Sequence, residues 1–244
     1  MRVRGNTVLI TGGATGIGLA LARALADLDN EVIICGRRRE MLKEAKSDVP
    51  GLHTKMCDVS RGSSRTALVR WVTGRFKSLN ILVNNAGVQC SVDFTKGPRD
   101  LEEAAKEVAT NLMGPLELSA MLIPHLRRRK ESAIVNITSG LAFAPLAAVP
   151  VYCATKAALH SLSMSMRHQL QGTSIRLFEV APPMVATDLG GGRGRRAAGA
   201  WCMSAEEAAS GVIEALAHDR FEVALGGAVH LRKKRDAAFE DMNG

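Results

Sequence analysis

Seven short apolar runs alternate with stretches of helical periodicity, and a glycine-rich turn follows the first run. These observations predict an α/β fold: a doubly wound, Rossmann-type parallel sheet of seven strands, helices on both faces, in a single domain. Strands that are apolar throughout belong to a sheet covered on both sides. No linker, composition break or internal repeat divides the 244 residues.

The first run, residues 6–10, ends in Thr11-Gly12-Gly13-Ala14-Thr15-Gly16-Ile17-Gly18. Ile17, Leu21, Leu25 and Leu28 then keep helical spacing, so the order is strand, glycine turn, helix. Residues 31–35 read as a second strand, 38–47 as a helix, and 52–57 as a third strand ending at Asp58. Leu68, Trp71, Val72 and Phe76 mark an amphipathic helix. Residues 80–83 form a fourth strand, closed by Asn84-Asn85-Ala86-Gly87. Helical sequence covers about 100–128, with a break expected near Gly114-Pro115. A fifth strand at 133–138, a helix at 151–170, a sixth strand at 174–180, a helix at 205–218 and a last strand at 221–225 complete the chain. Residues 190–196 are too rich in glycine to hold one conformation without help. They follow the sixth strand, and ligands of such sheets bind beyond the carboxyl ends of the strands. Residues of about 189–200 are therefore either a lid or an ordinary surface loop.

With 46% hydrophobic and 23% charged residues, the composition suits a soluble domain with a sizeable core. No apolar run approaches the ~20 residues that span a bilayer, and the amino end reads directly into a strand, so neither a membrane anchor nor a secretory signal is expected. Five cysteines, odd in number and without CxxC spacing, argue for free thiols in the cytoplasm and against a metal site. The net charge is +8, gathered at 37–39, 127–130, 193–196 and 232–235. Nucleic-acid binding would use such clusters, but 4% aromatics and no nucleic-acid module argue against it.

Tyr152 is the only tyrosine, and Lys156 follows it by one helical turn on the same face. A phenol loses its proton near pH 10, and a neighbouring ammonium lowers that value toward the range useful for acid–base catalysis. A half-buried tyrosine beside a solvated lysine is the plainer reading. The glycine turn lies where a dinucleotide pyrophosphate docks, against helix N–H groups and the favourable end of the dipole. At the end of the second strand the chain reads Cys35-Gly36-Arg37-Arg38, without the acid that binds the ribose hydroxyls of NAD. An arginine there pairs with a 2′-phosphate, so Arg37, with Arg38, points to NADP.

Taken in order, Thr11-Gly12-x-x-x-Gly16-x-Gly18, Asn84-Asn85-Ala86-Gly87, Asn111, Ser139 and Tyr152-x-x-x-Lys156 resemble the short-chain dehydrogenase/reductases over essentially the whole chain. The wording around 32–38, 92–94, 139–143 and 238–243 is similar to the DltE-like oxidoreductases of that family. The resemblance implies a dinucleotide-binding half over about 6–130 and a catalytic and substrate half over about 131–244. It implies an NADP(H)-dependent oxidoreductase interconverting a ketone or aldehyde with an alcohol. Tyr152 would exchange the proton, Ser139 would bond the substrate oxygen, Lys156 would hold the nicotinamide ribose, and Asn111, in a helix irregularity, would hold a water. Cofactor contacts would come from Gly12, Thr15, Gly16, Ile17, Gly18, Arg37, Arg38, Asp58, Val59, Asn85, Ala86, Gly87, Tyr152, Lys156, Pro182, Val185 and Thr187. Pro183 stands where the family usually has glycine, which stiffens that turn and removes an N–H. The substrate would be a free small ketone, or one on an acidic carrier protein docked by 127–130 and 193–196. A homodimer or homotetramer is expected. The rival reading is a non-catalytic NADP-binding redox sensor or regulatory protein, to which an intact Asn111-Ser139-Tyr152-Lys156 set would be of no use.

Overall fold

Seven parallel strands run through the molecule: β1 (Thr7–Thr11), β2 (Glu31–Gly36), β3 (His53–Met56), β4 (Leu79–Asn84), β5 (Ser132–Ile137), β6 (Ile175–Ala181) and β7 (Glu222–Ala224). They lie in the order β3-β2-β1-β4-β5-β6-β7, every pairing parallel. This is the doubly wound sheet, with its reversal of direction between β1 and β4. The structure is a computed structural model that describes residues 1–196 and 202–243. Among them, no helix is long and apolar enough to cross a membrane.

Two apolar layers sandwich the sheet. On one side Val8, Ile10, Ile34 and Val135 meet Leu21 and Leu25 of α1 (Gly16–Ala26), Leu42 of α2 (Arg39–Asp48) and Val212 of a helix near the carboxyl end. On the other, Leu9, Ile33, Leu82 and Ile134 meet Leu68 and Val72 of α3 (Gly62–Arg75). Alternate residues of one strand thus enter opposite cores. Each fully buried Leu or Ile contributes about 2 kcal/mol.

After α3, the helical run expected over 100–128 comprises α4 (Leu101–Val108), a π-helical turn (Ala109–Met113) and α5 (Gly114–Leu126). The break expected near Gly114-Pro115 takes the form of this π-helical turn, which ends at Met113. The Gly114 N–H bonds the Ala109 carbonyl, five residues back, and the widened turn lets the helix pass into Pro115 at the start of α5. Proline has no N–H to lose at a helix start. Leu118, Leu122 and Leu126 of α5 close the second core.

The remaining helices are α6 (Pro150–Gln169), α7 (Leu189–Arg196), α8 (Ala205–Ala217), α9 (Ala228–Lys234) and α10 (Phe239–Asn243). The near-terminal helix packed on α1 is α8, held at its start by a capping box between Ser204 and Glu207. Where an irregular segment was expected, α7 forms, with Gly190, Gly191 and Gly192 all at positive φ (62°, 74° and 76°). Residues 197–200 of the expected lid lie outside the described residues.

A buried polar ladder fixes α6 against the sheet. Asn84 Nδ2 donates to Asn136 Oδ1 (2.9 Å), Asn136 Nδ2 to Ser163 Oγ (2.9 Å), and Ser163 Oγ to the Leu159 carbonyl (2.7 Å). Neighbouring strands and the helix carrying Tyr152 are thereby joined side chain to side chain.

Candidate active site

The glycine turn after β1 is held shut by β4. Asn85 Nδ2 donates to the carbonyls of Thr11 (2.9 Å) and Gly12 (3.2 Å), and Thr11 Oγ1 accepts from the N–H groups of Asn85 and Ala86 (3.0 Å each). Gly12 has φ +64°, and a Cβ there would stand 2.8 Å from Ala86 Cα. A Cβ on Gly18 would stand 2.4 Å from the Gly12 carbonyl oxygen. Side chains are thus excluded where α1 begins and its first N–H groups lack helical acceptors. The turn therefore fits a phosphate-bearing cofactor.

Around this turn stand the other residues assigned to cofactor binding. Arg37 and Arg38 are exposed at the end of β2, and Arg38 Nη2 reaches Thr15 Oγ1 (3.3 Å), placing a guanidinium beside the turn. Asp58 spends Oδ1 on the N–H (3.0 Å) and hydroxyl (2.7 Å) of Ser60. Val59 is buried, and its carbonyl accepts from Arg65, which also bonds Glu117 of α5 (Nε–Oε2 3.1 Å). Thr187 lies against the turn from the β6 side, since a Cβ on Gly16 would meet its Cγ2 at 3.0 Å. The Pro182 carbonyl accepts from Gly140 N (2.9 Å), tying the β6 end to the β5 end. Val185 forms a parallel bridge with Met203, flanked by Met203 N to Met184 O (3.0 Å) and Ala186 N to Met203 O (2.9 Å). Pro183 leaves this arrangement intact, because its bonds come from its neighbours.

One thiol pair was hidden by sequence distance. Cys35, at the end of β2, and Cys57, beyond β3, interact so that Cys35 is raised, with burial adding to the rise, while Cys57 is drawn down to about 7 against its own burial.

The four residues assigned to catalysis converge at the carboxyl ends of β4 and β5. Asn111 sits in the π-helical turn; its Oδ1 accepts from Val88 N (2.9 Å) and its Nδ2 donates to Val88 O (2.8 Å) and Thr155 Oγ1 (3.2 Å). Ser139 follows β5, accepts from Leu141 N (3.1 Å) and lies close enough to Tyr152 for its hydroxyl to favour the phenolate. Lys156 Nζ donates to the Ile137 carbonyl (2.8 Å) and lies 5.6 Å from the centre of the Tyr152 ring. A Cβ on Gly87 would come within 3.5 Å of Asn111 Oδ1 and 3.8 Å of Lys156 Nζ, so the Asn-Asn-Ala-Gly turn reaches the same centre. Asn111, Ser139, Tyr152 and Lys156 are all buried.

Electrostatically, the site differs from the sequence expectation. Burial pushes the Tyr152 phenol above its ordinary value, outweighing the Ser139 hydroxyl, which lowers it. Lys156 does not depress it, because burial draws the ammonium itself down to about 8. Two carboxyl groups absent from the motif stand nearby. Glu107, one turn before Asn111, is fully buried and is pushed up to about 7 by that burial. Glu179, on β6, is also fully buried; it accepts from Thr138 Oγ1 (2.8 Å) and lies 2.9 Å from His160 Nδ1 through each oxygen. The spacing of Glu107 and His160, four residues either side of Asn111 and Lys156, was the available signal.

The arginine cluster at 127–130 is far from this centre. Arg129 and Lys130 line a concavity of about 630 Å³ with Arg2, Asn80, Ser174 and Arg176, at the amino ends of β1, β4, β5 and β6. A carrier docked there would meet the wrong end of the sheet, which corrects that part of the expectation. The side chains of 193–196 lie outside the described residues.

Residues 6–197 match the model of the short chain dehydrogenase family, and the chain belongs to that family. It is 55% identical over 189 residues to the Bacillus subtilis (strain 168) protein named uncharacterized oxidoreductase DltE, covering 78% of this chain and 75% of the relative. The protein is thus a DltE-like oxidoreductase of the short-chain class. A short-chain dehydrogenase/reductase from Burkholderia phymatum in complex with NAD matches the fold at TM-score 0.88 and 21% identity, over 100% of this chain and 97% of that one. A short-chain dehydrogenase from Sphingobium yanoikuyae in complex with NADPH matches at TM-score 0.78 and 26% identity, over 90% and 86%.

Proposed function

We propose that the protein is an NADP(H)-dependent reductase or dehydrogenase that interconverts a small ketone or aldehyde with its alcohol. The observation that carries this reading is the convergence of Ser139, Tyr152, Lys156 and Asn111 beside a glycine turn from which side chains are excluded. Bound at that turn, the cofactor supplies the hydride. Gly12, Thr15, Gly16, Ile17 and Gly18 hold its phosphates, and Asp58, Val59, Asn85, Ala86 and Gly87 hold the adenosine side. Pro182, Val185 and Thr187 hold the nicotinamide side. Arg37 and Arg38, with no acid at the end of β2, favour a 2′-phosphate.

Ser139 and Tyr152 bind the substrate oxygen, and Tyr152 donates its proton as negative charge develops there. A phenol that burial keeps protonated suits this reducing direction. Lys156 and Asn111 return the proton. The setting is cytoplasmic. Two copies of the chain pair through α4, α5 and α6, where Val108, Met113 and Met164 are exposed apolar residues; sedimentation as a monomer at micromolar concentration would contradict this.

The test is NADPH and NADH binding by nicotinamide fluorescence, followed by a screen of small ketones. Arg37→Ala should weaken NADPH about tenfold and leave NADH unchanged. Tyr152→Phe should lower kcat at least 100-fold with cofactor binding intact. Equal binding of both cofactors to the wild type refutes the NADP assignment.

A further inference from the structure

Charged side chains are buried at few places in this molecule: among the described residues, Arg65, Glu107, Lys156 and Glu179. Arg65 is matched by Glu117. Of the other three, the two carboxyl groups both act on the third, the Lys156 ammonium. Glu179 is already engaged by Thr138 and His160. Glu107 is different, because Oε1 accepts only the Cys90 N–H (3.2 Å) and Oε2 is buried with no hydrogen-bond partner. A buried carboxyl left half satisfied costs stability, and an adjacent cation offsets that cost.

A cation lies within electrostatic reach of it, beyond direct ion-pair distance, on a helix bonded to its own. Asn111, one turn beyond Glu107, bonds Thr155 of α6, and the next residue of α6 is Lys156. Lys156 has three donors and one acceptor among the hydrogen bonds given above, the Ile137 carbonyl. The pair is therefore a buried ammonium and a buried carboxyl on two helices joined at that level.

We infer that Glu107 is a positioning residue of this site: its buried carboxyl is the counter-charge that keeps the Lys156 ammonium protonated inside the protein. The inference rests on the proposed role of Lys156 and adds to it a residue outside the family motif. The groups that bear on the pair are Tyr152 and Cys153 from α6, Glu179 with its partner His160 from β6 and α6, and the Cys90 N–H from the loop after β4. Of the two carboxylates holding Lys156 up against burial, Glu107 has the larger effect. Lys156 at about 8 is still mostly charged at neutrality, and losing the larger of its two supports would lower its charged fraction there.

Glu107→Gln keeps the shape and the acceptor for Cys90 but cannot ionise. In NADPH fluorescence titrations from pH 6 to 9.5, wild-type affinity should fall as pH rises through about 8. In Glu107→Gln the same fall should come about one pH unit lower, with equal affinity at pH 6. An unmoved break overturns the inference. A second arm needs no cofactor: urea unfolding of wild type, Glu107→Gln, Lys156→Met and the double variant at pH 5.5 and 7.5. Glu107 is raised to about 7, so its carboxylate charge, and any coupling to Lys156, is present at pH 7.5 and lost at pH 5.5. Coupling that is absent, or equal at both pH values, makes Glu107 a packing residue only. Should Glu107→Gln not fold, Lys156→Met alone decides: stranding the carboxylate, it should lose more stability than wild type between pH 5.5 and 7.5. Failure of every form to bind NADPH defeats the cofactor reading, while the urea arm still decides the role of Glu107.

Discussion

Two glycine-rich stretches follow strands at the same end of this sheet, and they differ in how much room surrounds their glycines. After β1, the glycines are there for want of room: added Cβ atoms would stand 2.8 Å from Ala86 Cα at Gly12 and 2.4 Å from a carbonyl oxygen at Gly18. After β6, Gly191 has nothing within 4 Å of an added Cβ, but its φ is +74°. In the first stretch two turns are left-handed as well, at Gly12 and Gly16, but the backbone is also approached closely; in the second the left-handed turn, three times in succession, is the whole requirement at Gly191. Counting glycines does not separate these cases. Their neighbours do.

The contrast can be broken by substitution, and the effects should fall in a definite order. Gly18→Ala drives a methyl into backbone that cannot move aside, so it should cost about 3 kcal/mol in urea unfolding and abolish NADPH binding. Asn85→Ala removes the clasp without crowding the turn. Leaving the Thr11 and Gly12 carbonyls short of a donor should cost about 2 kcal/mol and weaken NADPH by a smaller factor than Gly18→Ala. Gly191→Ala introduces only left-handed strain, about 1 kcal/mol, and should leave NADPH affinity at the wild-type value. If Gly191→Ala proved as damaging as Gly18→Ala, the two stretches would not differ in the way their surroundings indicate.

The sequence made the sheet legible because apolar strands and amphipathic helices alternate without interruption, and every expected strand is present. It also made the Tyr152–Lys156 pair legible, because a phenol and an ammonium one turn apart carry their own spacing, whereas Asn111 and Ser139 were marked by the family resemblance alone. Three features escaped it. The form of the break near Gly114-Pro115 was one: it is a π-helical turn that puts Pro115 at the start of the next segment, where proline is tolerated. Glu107 reads as one more acid on a charged helix beside Glu102 and Glu103, yet those two pair with Lys106 at the surface while Glu107 turns inward. The phenol's acidity was argued from one neighbour alone, and burial, which depends on every element packed over Tyr152, reversed the sign. Local spacing is written in the chain; desolvation is a property of the assembled fold.

The pairing of Met203 with Met184 and Ala186 has a consequence for how this protein could be altered. It pins both ends of the segment that follows Thr187, so whatever chain lies between leaves and rejoins the body at fixed points. Sequence exchanged beyond Leu189, whose N–H donates to Thr187 Oγ1 (3.4 Å) and whose side chain packs on the Tyr152 cluster, would enter and leave at the same two places.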